Sequence, residues 1–110
     1  MWPRIDVQSV TMGSGAASSG TIQTYGANRG MLEMPDAFTG TLLTFNGSVD
    51  GTIFRALYTT ANAAVSQVCA GSRSYPLPSE VFNGVAFTLT AGTVQAAARS
   101  FRVSLFRDVR

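Results

Sequence analysis

The chain predicts an all-β fold, an antiparallel β-sandwich of about eight short strands, and three observations predict it. Apolar and small polar residues alternate with a period of two in several segments, and turn-forming residues recur about every ten positions. No interval sustains a helical spacing of apolar residues. Turns at that spacing between alternating segments define a sandwich or a barrel.

The alternation places strands at about 4–12, 20–25, 29–34, 40–49, 52–58, 65–70, 85–91 and 99–108. Between the first two lies Gly13-Ser14-Gly15-Ala16-Ala17-Ser18-Ser19-Gly20, too short for a domain linker and read as a mobile loop. Gly26-Ala27-Asn28 and Pro35-Asp36 punctuate the next two gaps. The clearest element is a β-hairpin, in which Thr41 to Val49 alternates, Asp50-Gly51 offers a two-residue connection tolerant of positive φ, and Thr52 to Tyr58 resumes with β-branched and aromatic residues. Ala61 to Cys69 comes nearest to a helix, but Val65, Gln67 and Cys69 alternate with Ser66 and Val68, so it reads as a loop entering a strand. Gly71-Ser72, Pro76-Leu77-Pro78, Asn83-Gly84 and Ala91-Gly92 close the remaining gaps.

The last strand sets the inside of the sandwich, with Phe101, Val103 and Leu105 facing one way and Ser100, Arg102 and Ser104 the other. Val85, Phe87 and Leu89 read in the same phase. Leu43, Phe45 and Val49 are expected to meet them across the core, with Ile22 and with Ile5 or Val7.

At 110 residues the chain fits one domain, residues 1–110. Apolar residues make up 45% and charged ones 13%, too hydrophobic for disorder and leaving part of the surface suited to meeting another protein. The net charge of +2 is eight arginines, at positions 4, 29, 55, 73, 99, 102, 107 and 110, against six acids, with no lysine; the arginines form no run, so no nucleic-acid partner is expected. No apolar run approaches the roughly 18 residues of a membrane span, and the start Met1-Trp2-Pro3-Arg4-Ile5-Asp6 lacks a signal pattern. Residence in the cytoplasm, or assembly there into something larger, is the simplest expectation.

The absence of His removes the commonest general base near neutral pH and the commonest metal ligand. With Cys69 as the single cysteine, no metal site, no cofactor and no disulfide within the chain are expected, and Cys69 between Val68 and Ala70 reads as a buried small hydrophobe. Asp6, Glu33, Asp36, Asp50, Glu80 and Asp108 are the available acids, most of them at turns, so no catalytic residue is assigned. Glycines 13, 15 and 20 resemble a phosphate cradle only loosely, since no helix follows and no Lys is present. Trp2, Tyr25, Tyr58 and Tyr75 suit either sugar stacking or ordinary rim packing. Trp2, Arg4 and Arg102 are the candidate partner contacts. An indole beside Pro3 makes a good interface anchor, and guanidinium groups on a shared outer face suit carboxylate contacts, although a solvated β face serves equally.

Four motifs in order, Met34-Pro35, Phe45-Asn46-Gly47-Ser48-Val49-Asp50-Gly51, Ser74-Tyr75-Pro76-Leu77-Pro78 and Arg99-Ser100-Phe101-Arg102-Val103, resemble a family of small structural proteins encoded in tailed-phage and prophage genomes. The resemblance spans roughly residues 20 to 106. It implies a jelly-roll-like sandwich and a non-enzymatic role as a capsid decoration, or cement, protein on the virion surface. The implied partners are the major capsid protein and further copies of the chain, as a trimer. Two other readings stand beside it. A glycan- or receptor-binding module of a head or tail fibre would gather exposed aromatics in one concavity, and a small hydrolase would set two acids face to face in a cleft.

Overall fold

The computed structural model describes residues 4–107, and Trp2, Pro3 and Asp108 lie outside them. Nine strands follow in order among the described residues. They are β1 (Arg4–Met12), β2 (Ile22–Gln23), β3 (Arg29–Glu33), β4 (Leu42–Ser48), β5 (Arg55–Ala56), β6 (Ser66–Val68), β7 (Ser74–Pro76), β8 (Ala86–Ala91) and β9 (Arg99–Phe106). A short 3-10 turn, Ser79–Asn83, separates β7 from β8.

The strands pair antiparallel into two sheets, ordered β1-β9-β3-β7 and β2-β8-β4-β5, with β6 also paired to β4. β5 lies opposite Asn46 and Gly47, and β6 opposite Leu42 to Thr44, so both run along the same edge of β4 as one interrupted strand. The interruption is a small excursion closed by hydrogen bonds from Thr59 N–H to Ala63 O and from Val65 N–H to Leu57 O. With β5 and β6 merged, the eight strands divide as 1-8-3-6 and 2-7-4-5, the wiring of a jelly roll.

The core lies between the sheets. Val10, Met12, Leu32, Phe101, Val103 and Leu105 face in from one sheet, and Ile22, Leu43, Phe45, Phe87, Leu89 and Ala91 from the other. Each fully buried Phe or Leu contributes about 1.5–3 kcal/mol over an exposed one, which is what closes a chain without disulfides. Phe101 stacks edge-on against Phe38, with ring centroids 6.0 Å apart. Cys69 is buried, and that burial pushes its thiol pKa up.

Several sequence expectations are corrected. Val49 and Val85 are exposed, because β4 ends at Ser48 and β8 begins at Ala86, so each lies one step beyond the strand whose phase it continues. Ala86, read as outward, is fully buried where β8 is flanked by Gln23 of β2 and Ser48 of β4. The unbroken register from Asp6 to Met12 puts Val7 opposite Ser104 on the outer face, and along that stretch β1 contributes Val10 and Met12 to the core. The hairpin joins β4 to β5, but its connection is the six residues 49–54 rather than a two-residue turn. Ser74–Pro76, read as part of a loop, forms an additional edge strand beside β3.

The topology defines two poles. One gathers connections 13–21, 34–41, 69–73 and 92–98, and the other gathers 24–28, 49–54 and 77–85 with the start of β1 and the end of β9. At the first pole Gln95 is fully buried and ties three connections together. Its Nε2 donates to Thr39 O and Thr93 O, and its Oε1 accepts from Thr39 N–H, each at 3.0 Å. Its backbone accepts from Gly15 N–H at 2.7 Å and donates to Ala16 O at 2.8 Å. The Gly/Ser/Ala run read as mobile is therefore pinned along much of its length, with Ser18 also bridging to Thr90.

Candidate functional site

The second pole concentrates the features that suit contact with another molecule. A ladder of hydrogen bonds joins its three connections, from Thr24 N–H to Val85 O and from Val85 N–H to Ser48 O. Close packing holds them at that distance, since a Cβ on Gly84 would meet Ser48 O at 2.3 Å. Around this ladder Tyr25, Val49, Ile53 and Val85 are all exposed. Each follows from local chemistry. Tyr25 and Gly26 are the central residues of a turn closed by Ala27 N–H to Thr24 O, both at positive φ, 51° and 76°. Val49 and Ile53 flank a loop organised by Asp50, whose Oδ1 accepts from Thr52 N–H at 2.8 Å, Ile53 N–H at 3.0 Å and Ser48 Oγ at 3.0 Å. Ser48 Oγ accepts in turn from Gly51 N–H at 2.8 Å, and Gly51 takes φ 82°, the positive value its place in the sequence predicts.

Beside the apolar tips lies a groove of about 340 Å³, lined by Val49, Ile53, Leu57 and Val81 and by the charged Asp50, Arg55 and Glu80. Two acids thus line one groove, a first condition for a carboxylate hydrolase. The Asp50 carboxyl is held below its ordinary range, first by the Ile53 and Thr52 backbone N–H groups and then by the Ser48 hydroxyl. A general acid needs the opposite shift, so Asp50 reads as the organiser of its loop.

Of the candidate contacts named from the sequence, Arg102 is placed on a sheet face, Arg4 begins β1, and Trp2 lies outside the described residues. Arg102 is exposed on the outer face of the β1-β9-β3-β7 sheet, opposite Ser9 and Glu33, with Nη1 4.0 Å from Glu33 Oε1. Arg4 pairs with Phe106, four residues along β9 from Arg102. The tyrosines are not gathered: Tyr25 stands at the pole and Tyr58 on the β5–β6 excursion. Tyr75 packs against the core, its hydroxyl accepting from Ala70 N–H at 3.0 Å.

Among the described residues no cluster of three or more His, Cys, Asp or Glu is placed to hold a metal ion, and no helix is long and apolar enough to cross a membrane. Fold and surface together define a small jelly-roll sandwich with four exposed apolar side chains clustered at its second pole. Compared with protein-family models, curated proteins and solved structures, the chain matches none.

Proposed function

We propose that this protein is a non-enzymatic structural component of a phage virion that decorates the assembled capsid and cements it. The observation that carries the reading is that exposed apolar side chains cluster on loop tips at the second pole, a surface for contact, while Asp50, one of the two acids in the adjoining groove, is committed to its own loop. The jelly-roll wiring is the fold that the phage resemblance implies, which supports the same reading. A cement protein needs no active site. It stabilises a shell by binding the assembled form in preference to free subunits, and repetition by symmetry multiplies weak contacts. The partners are then the major capsid protein and further copies of this chain, a trimer in the resemblance-based version, on the surface of a virion assembled in host cytoplasm. A glycan-binding fibre module is the second reading, favoured by the exposed Tyr25 ring, which shares its groove with Phe82, although Phe82 is packed against the core.

Co-sedimentation with undecorated shells tests the proposal, using the full chain and a variant lacking residues 1–4. Pelleting with shells but not with free capsid subunits is expected. Absence of binding by the full chain removes the cement reading, and equal binding by both forms removes only the Trp2 anchor.

A further inference from the structure

The apolar pole is two-sided. On one side, at connection 24–28, stands Tyr25, with the guanidinium of Arg107 3.7 Å from where a Cβ on Gly26 would lie. On the other, at connection 49–54, stand Val49 and Ile53 beside the groove, whose lining carries two acids, Asp50 and Glu80, to one arginine, Arg55. Val85 lies between the sides, bonded through its backbone to both Thr24 and Ser48, with Cγ2 3.8 Å from the Cβ position of Gly51.

We propose that this pole is a homotypic interface, in which the Tyr25 and Arg107 side of one copy packs against the Val49, Ile53 and Glu80 side of a second copy. The inference takes up the oligomer of the reading above and gives it a contact surface. Three observations carry it. The first is charge, because a patch that presents both signs is complementary to its own copy, and here the basic side and the net acidic side flank an apolar centre. The second is area. At exposures of 61%, 84%, 57% and 48% for Tyr25, Val49, Ile53 and Val85, these residues present on the order of 400 Å² of mainly apolar surface, near the apolar share of one half of a standard interface of about 800 Å². The third is strain. The first central position of a turn with two positive φ values favours Asn, Asp or Gly, so a tyrosine at 51° is a local cost that leaves its ring in solvent unless a contact uses it.

Sedimentation equilibrium of the full chain, read against the 11.6 kDa of one copy, tests the contact. A concentration-dependent rise to a multiple of that mass is expected. Tyr25→Asn is the decisive variant, because asparagine suits the turn while the ring is lost. It should hold or raise the melting temperature and weaken association at least tenfold, whereas Tyr58→Ala, at an exposed tyrosine elsewhere, should leave association unchanged. Arg107→Glu and Glu80→Arg should each weaken association and the double variant should restore it. A wild-type monomer at the highest soluble concentration overturns the proposal, as does an oligomer indifferent to Tyr25→Asn, or a monomer that binds glycans through Tyr25. A monomeric wild type that still pellets with shells would overturn this contact and leave the cement reading standing. Oligomers that ignore shells would do the reverse.

Discussion

Replacing Gln95 by leucine tests the reasoning about how one end of the sandwich is closed. The side chain is fully buried, and its amide makes three hydrogen bonds that no other group replaces in the variant. Thr39 N–H, Thr39 O and Thr93 O would each lose a partner. A buried group left unpaired costs about 1–3 kcal/mol, and since Thr93 lies at the surface the low end applies, giving a loss of about 3 kcal/mol. Burying a leucine in place of an amide offsets about 1 kcal/mol, leaving a net destabilisation of about 2 kcal/mol. For a domain of this size that lowers the melting temperature by roughly 10 °C. Thermal unfolding followed by circular dichroism reads the shift, and amide exchange at Thr39 reads its location. Gln67→Leu is the control, since Gln67 donates only to Val68 O in an exposed setting, and a change within about 0.5 kcal/mol is expected. A Gln95→Leu variant that melts at or above the wild-type temperature would refute the account of the amide as the tie between connections.

Other perturbations follow from the same structure. Phe45→Ala, Phe87→Ala and Phe101→Ala should each cost on the order of 3–5 kcal/mol in chemical denaturation, because each ring is fully buried between the sheets; wild-type-like midpoints for all three would reverse the assignment of faces. Gly51→Val should destabilise more than Thr52→Val, since a β-branched residue is strained at φ 82°, and equal midpoints would count against that turn. The Asp50 carboxyl is lowered in the fold, so its contribution is present above the unfolded value of about 3.9 and is lost as pH falls through the lower folded value. The stability gap between wild type and Asp50→Asn should therefore be flat from neutral pH down to about pH 5 and shrink below about pH 4, and a gap that widens in acid would contradict the turn assignment.

The legible parts of the fold are those in which period-two alternation runs inside a strand. Phe101, Val103 and Leu105 on β9, Phe87 and Leu89 on β8, and Leu43 and Phe45 on β4 face the core as their phase predicts. The errors at Val49 and Val85 arise where the phase is carried one residue past a strand end, since a turn rotates the chain and alternation holds only along a pleat. β7 escaped notice because two prolines near its end read as a loop, yet Pro76 closes a short edge strand, where a missing N–H is tolerated. Nothing in Thr93-Val94-Gln95-Ala96 announces that the glutamine is buried and the valine exposed, because the amide partners come from connections distant in sequence. The apolar pole was illegible for a similar reason. Tyr25, Val49, Ile53 and Val85 belong to three connections, and only the jelly-roll wiring brings them to one end.

The central claim, that this sandwich stabilises an assembled shell, is tested most directly by heating purified undecorated shells with increasing amounts of the protein and recording the temperature at which the shells disrupt. The account predicts a rise that saturates at a fixed stoichiometry per capsid subunit. A disruption temperature unchanged at saturating protein would contradict it.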